Sequence, residues 1–573
     1  MTTGALLSLF IVVPMVASGL ATVIGVPIIR RALALAIPFA GMVGGLWLLS
    51  ATSGDTPVLA DNVGKFVGGI SIPIVADSLT AVMIFTTSLV VFVALWFADV
   101  VGETRARFYP ALALLLLGGA WGALLTADLF NLFVFIEVML MPSFGLIAMT
   151  GTWARLASAR MFIIVNLVTS LLLVSGVALT YGVIGTTNIA ALAGAAGPRG
   201  QEFEPGVFGN QWQLVVTLGL VILALSVKAG VTPVHTWLPR AYPSTSPAVM
   251  ALFSGLHTKV AVYAILRIFM TIFEGDPTWS WTILFFMVLG MLIGGFGGMV
   301  ESSMRSVIGY QMVNGIPFIL ISLAFLAEKP HLMLSAALFY MLHHMVVAAA
   351  LIMASGAIEE TYGFGRLRLL SGIMRRDRFV ATVFAMGALA IVGFPPFSGL
   401  WGKLGLVFGI SADGSWRAWL AISVIIISSM AALLSMVYLW REVFWGRQMN
   451  ANECDPTLRV PRRYVFPSAA LIAVSVTMFV GAGPLFNVTN RAAHALTDTT
   501  AYVAAVFPDK DKAVGNVLPI GPAGLDNVPE GAQSATASNA VQEEENRKAA
   551  KDPKQYDATN SRVDSPQREK AGK

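Results

Sequence analysis

The sequence predicts an all-α integral membrane protein of about 14 transmembrane helices, built as two inverted five-helix repeats that each contain a broken helix. Three observations predict it. Runs of 18 or more apolar residues recur along the 573-residue chain, each long enough to cross a bilayer as a helix. Apolar residues make up 56% and charged residues only 12%, with a mean hydropathy of +0.75, which no soluble domain resembles. A Gly/Pro signature also recurs: Gly230-Val-Thr-Pro233-Val returns as Gly393-Phe-Pro-Pro396-Phe.

Spans are expected near 4–24, 32–50, 77–98, 109–127, 129–150, 161–184, 212–238, 246–271, 279–299, 305–327, 332–356, 379–410, 416–445 and 464–487. The first run carries no basic n-region and no cleavage-site pattern, so it reads as a retained helix. Loops 56–77 and 186–211 are longer and amphipathic. Proline removes an amide donor and clashes with the preceding turn, so Pro233 and the Pro395-Pro396 pair should break their helices at mid-membrane. Breaks at matching places in two halves are the mark of repeat-built transporters. Gly118, Gly119 and Gly122, echoed by Gly294, Gly295 and Gly298, extend the match. The expected organisation is N-terminal helices over 1–108, a first repeat over 109–271, a second over 279–446, a last helix over 464–487 and a disordered polar tail over 509–573. That tail is rich in Pro, Gly, Gln, Glu and Lys and nearly free of aromatics, so it has too little apolar surface to fold.

Loop charges set the expected topology. With the N-terminus outside, roughly eighteen Lys/Arg fall in cytoplasmic loops against about five outside, as the positive-inside rule requires. An even number of spans returns the C-terminus to the outside. The net charge of +5 sits in those loops and does not indicate nucleic acid. One cysteine, Cys454, excludes an internal disulfide and a cysteine-rich metal or cluster site.

The chemistry is expected from ionisable groups inside apolar runs. Lys228, Lys259, Lys403 and Glu137 are such groups, and each costs roughly 3 kcal/mol near a bilayer centre. Packing alone would favour leucine at these places, so four of them mark a proton or cation path. Glu137 and Lys228 can neutralise each other, and a buried lysine can bind and release a proton; together they would act as a switch. The competing reading is a static ion pair. For Lys259 and Lys403 it is snorkelling to an interface. His343 and His344 could relay protons between lysines. Adjacent residues point about 100° apart on a helix, so at most one should face the path. His257 and His235 are weaker candidates, and Asp128 reads as a cap of the fifth helix. There is no GxGxxG after a strand, no Walker A pattern, no HExxH and no CxxC, so no metal site or cofactor is expected and no enzymatic reaction is implied. The His343-His344 pair is weighed against haem ligation and read as relay or core instead.

TADLFNLFVFIEVMLMPSFGLI, SVKAGVTPVHTWLPRAYPSTSPAVMALFSGLHTKVAVYAILR and IVGFPPFSGLWGKLGLV resemble the antiporter-like membrane subunits. These are shared by multisubunit Mrp (Mnh) cation/proton antiporters, respiratory NADH:quinone oxidoreductase and membrane-bound hydrogenases. The resemblance covers roughly residues 70 to 450, and the DLFNLFVFIEVML stretch is most similar to the D-type member of the Mrp set. It implies a multi-pass subunit of the bacterial cytoplasmic membrane that exchanges Na⁺ or another monovalent cation for H⁺, with other Mrp subunits as partners and a role in pH and sodium homeostasis. A proton-pumping subunit of an NADH:quinone oxidoreductase or hydrogenase is the alternative, and a scaffold with degenerate proton sites is a third reading. The resemblance further implies that Glu137 and Lys228 are the family's fifth- and seventh-helix pair. It makes Lys259 the central eighth-helix lysine, His344 a histidine of the central axis and Lys403 the lysine of the second broken helix. Relatives often carry a lysine about four residues after that histidine, where this chain has Ala348. That departure places more weight on His343 and His344.

Overall fold

The computed structural model describes residues 3–54, 56–66, 71–149, 153–198, 211–449, 455 and 457–507. Cys454 and the tail expected over 509–573 lie outside them. Among the described residues, 12 helices are long and apolar enough to cross a membrane. In chain order the helices are α1 (Leu9–Val23), α2 (Pro27–Ala51), α3 (Ser78–Val101), α4 (Tyr109–Leu125), α5 (Leu129–Ala148), α6 (Trp153–Ile184) and α7 (Gln211–Ala229). They continue with α8 (Trp237–Ala241), α9 (Pro247–Gly255), α10 (His257–Thr271), α11 (Ser280–Gly297), α12 (Met304–Leu320), α13 (Pro330–Tyr362) and α14 (Ile373–Arg376). The last six are α15 (Arg378–Val392), α16 (Gly399–Ser411), α17 (Trp416–Val443), α18 (Arg462–Val480), α19 (Ala482–Thr497) and α20 (Thr499–Val506).

Both expected breaks are present. The chain leaves α7 at Gly230, which has φ 80°, and turns through Pro233 before the short α8. It leaves α15 at Gly393, φ 102°, and turns through Pro395 and Pro396 into α16. A left-handed φ of this kind strains any residue with a Cβ, which is why glycine stands at both exits. A third interruption is not foreshadowed by the sequence. The run read as one span over 246–271 divides at Leu256 into α9 and α10, immediately before His257 and Lys259. The last expected span, 464–487, is interrupted: α18 stops at Val480, and beyond Gly481 the chain forms α19, which continues in the same direction along α13. Ser335 and Thr489 share a 2.8 Å hydrogen bond there, and the Phe339 and Phe486 rings stack at 4.6 Å.

Equivalent local geometry appears twice. Asp128 caps α5 through the Asn131 amide, and Ser303 caps α12 through the Ser306 amide. Asp128 forms a β-bridge with Asn188, Ser303 with Arg366. A Cβ on Gly119 would strike the Met139 backbone and one on Gly294 the Asn314 backbone; Gly122 meets Phe135 as Gly297 meets Tyr310. One spacing of 175 residues relates the members of each glycine pair and their contacts. The sequence match of Gly118 with Gly294 is therefore off by one residue: close approach selects Gly119 and Gly122.

The loop expected over 56–77 forms a hairpin of β1 (Val58–Asn62) and β2 (Pro73–Asp77), antiparallel from Val58 opposite Asp77 to Asn62 opposite Pro73. Asp77 ends β2 and caps α3 through the Thr80 amide at 2.9 Å. The centre of the molecule is α13, a 33-residue helix packed against α9, α12, α15, α16, α18 and α19. Apolar side chains such as Phe39, Ile164, Leu171, Phe285 and Ile426 point outward from the peripheral helices, as a hydrocarbon solvent requires.

Candidate functional site

Three of the four ionisable residues expected inside the bundle are buried there. Lys259 is fully buried, Lys228 is 5% exposed and Lys403 9%; Glu137 is half-buried on α5. No lysine among them snorkels to a surface.

The first cluster joins α5, α6 and α7. Ser170 of α6 donates its hydroxyl proton to Glu137 Oε1 and accepts a hydrogen bond from Lys228 Nζ at 3.0 Å. The expected carboxylate–ammonium pair is thus bridged by one hydroxyl. Lys228 lies in the last turn of α7, where unpaired carbonyls favour a cation.

The second cluster lies at the start of α10. His257 is held on both sides, Nε2 to Ser143 Oγ at 2.8 Å and Nδ1 to Tyr242 Oη at 3.2 Å, with its ring stacked 4.4 Å from Phe253. Lys259 Nζ donates to Thr258 Oγ1 at 3.1 Å.

The third cluster surrounds the second break. Lys403, one turn into α16, donates to the Val392 carbonyl at 2.8 Å and to Ser429 Oγ at 2.9 Å, and its ammonium stands 4.7 Å from the centre of the Phe318 ring. Val392 is the last residue of α15, so its carbonyl is one the break leaves without a helical donor. The second break therefore turns the carbonyl end of a half-helix toward Lys403, a device suited to holding a cation away from water. His343 Nδ1 bonds Ser398 Oγ at 2.7 Å within that break, and His344 Nε2 bonds the Gln311 carbonyl of α12 at 3.2 Å. Both rings are fully buried, because α13 has packed neighbours on every side. Each keeps its other ring nitrogen without a protein partner among the described residues.

Asp128 lies where expected, capping α5, with Thr187 Oγ1 donating to it at 2.6 Å; it is not brought to the lysines. His235 shares a 3.3 Å hydrogen bond with Thr232 beside the first break. Among the described residues no three His, Cys, Asp or Glu side chains converge as a metal site would require. The sequence reading missed Ser170, Ser143, Tyr242, Ser398 and Ser429. Hydroxyls are common in membrane helices and usually bond a carbonyl of their own helix, so no pattern singles these out.

Fold and site define a polytopic membrane protein with lysines, histidines and hydroxyls set along its interior. Residues 126–430 match the family described as NADH:quinone oxidoreductase/Mrp antiporter, TM. The chain is 31% identical to the D-type Na⁺/H⁺ antiporter protein of Alkalihalophilus pseudofirmus over 451 residues, 78% of this chain and 88% of that protein. It is 28% identical to the Bacillus subtilis protein of the same type over 452 residues, again 78% and 88%. A chain in the structure of the Mrp complex from Dietzia sp. superimposes with a TM-score of 0.81 at 36% identity, covering 88% of this chain and 100% of that one. A chain of respiratory complex I from Thermus thermophilus shares the fold, with a TM-score of 0.70 at 20% identity over 86% and 99%. The chain belongs to the NADH:quinone oxidoreductase/Mrp antiporter family of membrane proteins, and within it to the D-type antiporter subunits.

Proposed function

We infer that this chain works as one subunit of a multisubunit Na⁺/H⁺ antiporter and moves protons through its interior, with other Mrp subunits around it. Fourteen crossings, the twelve long helices plus α4 and the α15–α16 pair, would place both termini outside the bacterial cytoplasmic membrane. The duplicated caps, bridges and glycine contacts support two repeats. Five crossings in each, an odd number, would invert the second relative to the first. The proton is held within the bridged Glu137–Lys228 pair, and released from Lys228 toward His257 and Lys259 when the bridge opens. His344 and His343 take it onward to Lys403, which gates the outer exit. With Ala348 offering no ammonium between the halves, the unpartnered ring nitrogens of these histidines supply the connection. Residence in an NADH:quinone oxidoreductase is the alternative, with the shared family and a likeness of fold behind it.

The observation that carries this reading is the Glu137–Ser170–Lys228 bridge between three helices. Lys228→Ala and Glu137→Ala should each reduce Na⁺/H⁺ exchange to background in membrane vesicles while the complex still assembles. Glu137→Asp, which keeps the charge and shortens the reach, should retain part of it. Full exchange by either alanine variant would remove the switch from this site.

A further inference from the structure

We propose that Ser170 is itself a carrier of the proton between Lys228 and Glu137. The proposal rests on the function inferred above and concerns how its first step runs. On α6 Thr169 turns back on its own helix, donating to the Val165 carbonyl at 2.6 Å, and Thr180 bonds both the Gly176 carbonyl at 2.9 Å and Thr217 Oγ1 of α7 at 3.0 Å, with no charged group at either place. Ser170 instead reaches across to α5 and receives from α7.

Elementary donor chemistry gives this chain of bonds a direction. An ammonium has three donors and no acceptor, a carboxylate accepts only, and a hydroxyl does one of each. The order Lys228 N–H to Ser170 Oγ, then Ser170 O–H to Glu137 Oε1, is the order a proton must follow. In the step an N–H bond of Lys228 breaks as an O–H bond forms on Ser170. The original Ser170 O–H bond breaks as its proton joins Glu137. Lys228 keeps the electron pair as a neutral amine, Glu137 becomes a neutral acid, and Ser170 ends as it began. The reverse step restores the ions.

Direct contact would serve less well. Opposite charges touching in a low-dielectric interior attract strongly, so their contact would hold the proton in one state. One interposed hydroxyl separates the charges and supplies the path between them. The arrangement belongs to the first half alone: the Lys403 ammonium finds a hydroxyl and a carbonyl, and the Lys259 ammonium a hydroxyl, with no carboxylate beyond them among the described residues.

Threonine and valine at 170 have nearly one shape and differ in the hydroxyl, so the two separate chemistry from bulk. In vesicles holding the whole complex, Ser170→Thr should exchange Na⁺ for H⁺ within a few-fold of the natural chain. Ser170→Val should fall roughly tenfold or more below Ser170→Thr at equal assembly. Ser170→Ala adds no bulk and should lie between them, since a water molecule can enter the vacated space. Equal activity of the threonine and valine variants, whether high or low, would overturn the proposal, as would full activity of the alanine variant. If Glu137→Ala and Lys228→Ala are inactive while Ser170→Val is active, only this inference falls. If the two alanine variants themselves exchange normally, the function proposed above falls with it.

Discussion

Arg267 and Asp77 meet at 2.5 Å with both side chains almost wholly out of water, and the Arg267 guanidinium also lies 5.0 Å from the centre of the Tyr502 ring. A buried pair gains little over an apolar replacement, but removing one member strands a charge, at about 3–5 kcal/mol. Arg267→Met should therefore lower the thermal stability of the solubilised complex markedly. Adding Asp77→Asn should restore much of it, because asparagine still caps α3 through the Thr80 amide. Equal melting of the single and double variants would show that charge burial is not the cost. At this scale the sequence is informative only where a residue type is expensive. Lys228, Lys259 and Lys403 stand out because each interrupts an apolar run. Ser170 does not, since a serine in a membrane helix costs little and is common. The Asp77–Arg267 pair is equally hidden: its partners are 190 residues apart in sequence, and only the packing of α10 near the start of α3 joins them.

The helices themselves are legible where a local rule decides them. Proline and glycine end α7 and α15 within a few residues of the expected breaks, because a missing donor and a left-handed φ act locally. The interruption at Leu256 has no proline and cannot be read in that way. The glycine pairs show what close approach requires. A Cβ on Gly294 would stand 2.6 Å from the backbone of Asn314, which a helix cannot readily yield, whereas Gly19 of α1 has nothing within 4 Å. Gly294→Ala should therefore destabilise the protein by about 1–3 kcal/mol, the usual cost of overpacking. Gly19→Ala should leave stability unchanged or raise it slightly through better helix propensity. Denaturant midpoints of the two variants check this; equal midpoints would mean that α11 and α12 can separate at no cost. Sequence symmetry alone pairs Gly118 with Gly294, because two glycines in succession align as well one residue out. Only the packing partner fixes the register.

Across the whole molecule, Lys228 stands before the first break and bonds a hydroxyl, Lys403 follows the second break and bonds the carbonyl that break frees, and α13 carries His343 and His344. The count of spans and the polar tail can be proposed from composition, because hydropathy acts on whole segments. The course of α19 along α13 cannot, since its Ser335–Thr489 and Phe339–Phe486 contacts depend on tertiary placement. This arrangement bears on whether the halves conduct separately or in sequence. If each half were its own path, disabling one would leave the share carried by the other. If a proton crosses through the histidines of α13, the halves are in series and the slower step limits the whole. His343 bonds Ser398 within the break that also holds Lys403, and His344, next along α13, bonds the Gln311 carbonyl of α12, a placement that favours a series path. Lys403→Met should then bring exchange to the same background as Lys228→Ala, although the two lysines lie in different clusters. His344→Phe, which fills the ring's place without a nitrogen, should do so with both lysines intact. A Lys403→Met complex that assembles fully and keeps a substantial fraction of its exchange would mean that the first half reaches the outside by a route of its own.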